Sequence, residues 1–181
     1  MEWVVVTTRL IRVGLVALTL CGVVYAVVAA PPKTGKETHK LKGHKGTIRS
    51  LAFTRNGKWL LSGSSDETVR AWDTTTGDER HIFQGNWGGV RSIAVSPNSE
   101  MVAVGAYDAI IRIWNVNSGF KVTELKGHSE WVASMAFSPD SKRLASGGDD
   151  SLIRIWDLTT GKTIKKMKGH KGSIKAFAWT P

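Results

Sequence analysis

The chain has 181 residues, 41% of them hydrophobic and 22% charged, with a formal net charge of +10. That length and balance fit one folded domain with a basic surface. A single cysteine, Cys21, excludes a disulfide framework within the chain and a Cys-x-x-Cys metal or redox site.

Residues 1–30 stand apart from the rest. MEWVVVTTRLIR is followed by VGLVALTLCGVVYAVVAA, an uncharged run over residues 13–30. It is read as an N-terminal apolar helix, serving as a signal peptide or a membrane anchor. Arg9 and Arg12 precede the apolar core, and cleavage after Ala29 would leave Val27 and Ala29 at the positions a signal peptidase inspects. An uncleaved segment meets a conflict. Arg9 and Arg12 would hold the N-terminus in the cytoplasm, but Lys33, Lys36, Lys40, Lys42 and Lys45 compete for the same side. Either reading places the protein in a secreted or periplasmic location, or at the membrane. An over-extended start would leave it cytoplasmic.

Residues 31–37, PPKTGKE, read as a linker, and Thr38 to Lys42 as a lone outer strand. From Gly43 onward the sequence repeats every 42 residues: Gly43, Gly85, Gly127 and Gly169 open the units, and Trp72, Trp114 and Trp156 keep the same step. Self-similarity at this period marks propeller blades. The third copy shows the unit best. Trp131 to Phe137 is an apolar strand ended by Ser138-Pro139-Asp140-Ser141. Arg143 to Ser146 and Leu152 to Asp157 follow, separated by Gly147-Gly148-Asp149-Asp150, and Thr159-Thr160-Gly161 leads into Lys162 to Lys168. The fold class is therefore all-β: a partial, open β-propeller of four-stranded antiparallel blades at 43–84, 85–126 and 127–168. An incomplete unit follows at 169–181, with one strand expected over Ser173 to Trp179.

Four positions in the unit suit a buried hydrogen-bond chain: His44, Ser62, Asp66 and Trp72 in the first copy, and His128, Ser146, Asp150 and Trp156 in the third. An indole only donates, a carboxylate only accepts, and a neutral imidazole and a hydroxyl do both. With these residues the sequence resembles the WD-repeat β-propeller family, over about residues 38–181. The second copy departs from the pattern. It keeps Asp108 and Trp114 but has Asn86 for His and Val104 for Ser, so its network is expected to be incomplete and its blade the least rigid. Closed propellers commonly have four to eight blades. About three and a third are visible, so the expectation is further blades from a longer chain or closure by self-association.

No catalytic, cofactor or metal site is expected. His44, His128 and His170 occupy one slot on different blades and cannot share an ion. Asp149 beside Asp150 is a turn residue next to a network carboxylate, and no nucleophile, base and orienting group stand together. Basic runs at Lys33–Arg49 and Leu158–Pro181 could bind nucleic acid or anionic lipid. Lysines guarding exposed sheet edges account for them better, and no base-stacking motif accompanies them.

The resemblance implies a binding module. In that family the residue before the turn Asp and residues beside the start of the first strand contact partners, which here means Ser65, Tyr107 and Asp149, with Thr47, Gly89 and Trp131. Tyr107 and Trp131 are the expected anchors, and Trp87 is a further candidate; packing between blades is the alternative role for these rings. The expected function is a protein–protein interaction scaffold with protein or peptide partners. The alternatives are a regulatory segment of a larger enzyme, or a basic surface binder.

Overall fold

The computed structural model describes residues 37–179. The apolar segment over 13–30, with its expected helix and its signal or anchor role, lies outside them. Among the described residues no helix is long and apolar enough to cross a membrane. A short strand, β1 (His39–Leu41), comes first and joins none of the four-stranded sheets. The first sheet holds β2 (Ile48–Phe53), β3 (Trp59–Ser64), β4 (Val69–Asp73) and β5 (Glu79–Phe83). The second holds β6 (Val90–Val95), β7 (Met101–Ala106), β8 (Ile111–Asn115) and β9 (Lys121–Leu125). The third holds β10 (Val132–Phe137), β11 (Arg143–Gly148), β12 (Ile153–Asp157) and β13 (Thr163–Met167). In each sheet the strands lie side by side in chain order and are antiparallel.

The turns explain why the chain reverses where it does. Between the first two strands of the third blade, Ser138 Oγ donates to Asp140 Oδ1 at 2.5 Å and accepts the Arg143 N–H at 2.9 Å. Thr54 with Asn56, and Ser96 with Asn98, repeat the arrangement. Such short polar side chains stabilise a turn by bonding to backbone a few residues away. Ser99 and Ser141 take positive φ in these turns, where the first blade has Gly57.

The cores lie between blades rather than within them. Trp59, Leu61, Val69, Ala71 and Phe83 of the first blade meet Val90, Val102, Val104 and Val116 of the second. Ile111, Ile113 and Leu125 of the second meet Val132, Met135, Phe137, Leu144 and Trp156 of the third. Neighbouring blades approach closely because glycine stands at one position of each second strand. A Cβ on Gly63 would lie 2.5 Å from Val90, one on Gly105 3.0 Å from the Val132 Cβ, and one on Gly147 2.7 Å from Ile174.

That last contact places the fourth unit. Ile174 sits against the third blade as Val90 and Val132 sit against the first and second, and Trp179 Nε1 donates to the Ala136 carbonyl at 3.0 Å. The expected strand over Ser173 to Trp179 is not formed, since among the described residues no second strand lies beside it to make a ladder. At the other end, Leu41 of β1 packs on Leu60 and Trp72. Leu51 and Phe53 stay 50% and 54% exposed, whereas Met135 and Phe137, at the same places in the third blade, are 9% and 7% exposed beneath the second.

Candidate functional site

Two internal networks fix the ends of the loops that form the rim. In the third blade Trp156 Nε1 donates to Ser146 Oγ at 2.7 Å, Ser146 Oγ lies 2.8 Å from His128 Nε2, and His128 Nδ1 lies 2.8 Å from Asp150 Oδ2. The indole can only donate and the carboxylate only accept, so with His128 neutral the direction is set: Ser146 donates to His128, which donates to Asp150. Burial pushes the His128 pKa down, and the bond to Asp150 only partly offsets it. The first blade repeats the chain, with His44 at 2.7 Å from Ser62 and 2.9 Å from Asp66, and Trp72 at 2.8 Å from Ser62. Burial raises the Asp66 pKa, but bonds from the Thr68 hydroxyl, the Lys45 N–H and His44 together outweigh it and hold the carboxyl at about 2.

The second blade is organised differently. Asp108 is taken by Arg112, whose Nη1 and Nη2 donate to its two oxygens, and Arg112 Nε lies 3.7 Å from Glu124. Arg112 is almost fully buried, while Arg70 in the first blade turns to Glu79 and Arg154 in the third donates to the Gly127 carbonyl. One recurring arginine thus serves three local purposes. The expected gap in this network shows at two buried atoms with no partner among the described residues, the Trp114 indole N–H and Asn86 Oδ1. Asn86 is fully buried and its amide donates to the Glu67 and Phe83 carbonyls, so it ties the blade junction instead of replacing histidine.

Above these networks lie the six residues picked out by the repeat. They pair within each blade through the backbone: Ser65 N–H to Thr47 O at 2.9 Å, Tyr107 N–H to Gly89 O at 3.3 Å, and Asp149 N–H to Trp131 O at 3.1 Å. The second and third pairs are joined by their rings, since Tyr107 and Trp131 stack with centroids 4.7 Å apart and planes tilted by 36°. Trp131 is still 37% exposed, and Trp87 is 65% exposed on the loop whose Gly88 would place a Cβ 2.9 Å from that of Tyr107. Glu67 steadies this loop by accepting the Gly88 N–H, and Asp149 accepts from the Ser173 hydroxyl. Thr47 and Ser65 lie on the neighbouring blade.

One rim residue is not apparent from the repeat pattern. Arg49 lies with its Cζ 5.9 Å from the centre of the Tyr107 ring, within the range of a cation–π contact. The signal for it is structural: the β2–β3 register slips between Ile48 and Ser50 and leaves Arg49 off the ladder.

Comparison with known proteins agrees with this architecture. The model of the family described as WD domain, G-beta repeat matches residues 35–73, 77–115 and 119–157. The chain is 42% identical over 45 residues to the transcriptional repressor rco-1 of Neurospora crassa, a stretch covering 25% of this chain and 8% of that protein. It is 49% identical over 41 residues to a periodic tryptophan protein 2 homolog of Schizosaccharomyces pombe, covering 23% and 5%. The solved RRP9 WD40 repeats superpose with a TM-score of 0.71 at 23% identity, covering 74% of this chain and 42% of that one. The chain thus matches less than half the length of each of these proteins.

Proposed function

The chain belongs to the WD domain, G-beta repeat family, and from that premise we propose that it is a protein–protein interaction scaffold acting through the rim around Tyr107 and Trp131. One observation carries this reading: two large amphipathic rings from adjacent blades stack into a single platform that stays open to solvent, with Arg49 against it. Tyr, Trp and Arg are the residue types that dominate the energetics of protein interfaces. The platform sits on loops whose carboxylates are tied into the blades, so it is held ready before a partner arrives. In this reading the chain binds rather than catalyses, and the uncharged run over residues 13–30 supports a location outside the cytoplasm or at the membrane, with a cytoplasmic location as the alternative.

The test is affinity capture from the source cells with three forms of the full chain: wild type, Tyr107→Ala/Trp131→Ala, and Phe120→Ala. Phe120 is exposed on a turn remote from the rim. The expected result is a set of proteins retained by wild type and by Phe120→Ala and lost by the double variant. An unchanged set with the double variant overturns the assignment.

A further inference from the structure

We infer that the rim recognises an acidic peptide segment, with carboxylates meeting a cationic group at the inner edge and an apolar side chain lying on the Tyr107–Trp131 platform; this rests on the interaction reading above. The observation is a repeated irregularity. Each inner strand slips register at its second position: between Ile48 and Ser50, opposite Gly105 and Ala106 where residue 91 is skipped, and between Val132 and Ser134. A bulge leaves its extra residue out of the ladder and re-aims the side chain. The residues so released are Arg49, Arg91 and Ala133, and Lys175 holds the same place in the fourth unit. Three of the four are cations.

Two of these positions lie on adjacent strands. The Ile93 N–H donates to Ser50 Oγ at 3.2 Å across the first two blades, which sets the bulges of β2 and β6 side by side. Arg49 reaches the Tyr107 ring from there. None of Arg49, Arg91 and Lys175 forms an ion pair with a described carboxylate, and Arg91 Nε is buried with no hydrogen-bond partner. Five of the carboxylates nearby are hydrogen-bonded within the protein, while Glu130, next to Trp131, is exposed and forms no ion pair among the described residues. Asp66 and Asp150 serve the histidine networks, Asp108 holds Arg112, Glu67 holds Gly88 and Asp149 holds Ser173. The inner rim therefore presents cations that no ion pair with a described carboxylate neutralises, beside an aromatic surface and on a chain of net charge +10, and charge complementarity selects an acidic segment. Three separate cations suit a few peptide carboxylates, and oligo-dT in the same test probes for the successive phosphates of a nucleic acid.

A fluorescein-labelled Glu–Tyr copolymer supplies the probe, titrated by anisotropy against the full chain, with labelled oligo-dT in parallel. Arg49→Gln/Arg91→Gln is compared with Arg55→Gln/Lys142→Gln, which removes the same charge from the turns at the far end of the strands. The expected result is about a tenfold or greater loss of copolymer affinity in the first variant, a change within about twofold in the second, and a comparable loss in Trp131→Ala. Near-ultraviolet circular dichroism confirms that each variant is folded. Three outcomes overturn the inference: no binding of the copolymer to wild type, equal losses in both charge variants, or tighter binding of oligo-dT with the same sensitivity to Arg49 and Arg91. If the copolymer fails while Tyr107→Ala/Trp131→Ala still loses captured proteins, only the partner's acidity is wrong. If the capture test also fails, the rim itself is misassigned.

Discussion

Arg112 holds Asp108 with both ends of its guanidinium, Nη1 at 3.2 Å from one carboxylate oxygen and Nη2 at 2.7 Å from the other. In the blades on either side a histidine does this work. Removing one member of a buried pair leaves the other charge uncompensated and costs about 3–5 kcal/mol. Arg112→Ala is therefore expected to lower stability by about 3 kcal/mol, and Arg112→Lys to recover only part of it, since an ammonium cannot make the paired contact. Arg70→Ala, in the same slot of the first blade, should cost about 1 kcal/mol or less, because Asp66 is served by His44 there. Urea denaturation midpoints of the three variants decide the matter, and similar losses for Arg70→Ala and Arg112→Ala would show that the two blades are not built differently.

Trp156 and Trp114 occupy one repeat position with different partners. The Trp156 indole is buried and donates to Ser146, whereas the Trp114 indole N–H has none among the described residues. Removing a donor from a buried hydrogen bond costs about 1–3 kcal/mol. Trp156→Phe should thus destabilise the protein by roughly 1–2 kcal/mol more than Trp114→Phe, and Trp156→Ala should be worse than Trp114→Ala. A denaturant series in which the losses are equal or reversed would count against the network as a source of stability.

Acid should act on the two intact networks at different pH. His128 is held neutral by burial, with a folded pKa below the usual value. The unfolded chain therefore binds a proton first, and stability falls as pH drops below about 6.5. Protonation would also place a second N–H against Ser146, whose own hydroxyl proton would lose its acceptor. Asp66 behaves in the other range. Its folded pKa is about 2, so its contribution is complete above an unfolded value of about 3.9 and is lost as pH falls from there through about 2. Urea midpoints measured from about pH 8 to about pH 2 should decline in two stages. The earlier decline should be smaller in His128→Gln and the later one smaller in Asp66→Asn. A wild-type profile flat between pH 7 and 5 would contradict the neutral-histidine assignment.

Much of this molecule is legible in the repeat. A 42-residue period carries the strand order, the turn positions and the place of each network residue, because each blade solves the same packing problem with the same residue types. The strand bounds expected in the third copy differ from the observed ones by a residue or two. Three features escape such a reading. The Arg112–Asp108 pair is invisible because the same arginine appears in all three copies, and only the three-dimensional setting decides its partner. The Tyr107–Trp131 stack joins residues chosen separately, and its geometry depends on how one blade is turned against the next. The bulges that release Arg49 and Arg91 leave no mark in composition, since a slipped register is a backbone property. The segment Ser173 to Trp179 fails as a strand for the opposite reason: its pattern is that of an inner strand, but a ladder needs a second strand beside it.

The glycine that lets each blade meet the next has a mechanical meaning. Gly63 receives Val90, Gly105 receives Val132 and Gly147 receives Ile174, so each contact is a small interlock between immediate neighbours. Arrays joined only to their neighbours behave as one-dimensional stacks. Tension applied along such a stack loads these joints in series. Under force the chain is therefore expected to yield as a row of latches, joint by joint, rather than as a single body that breaks at once.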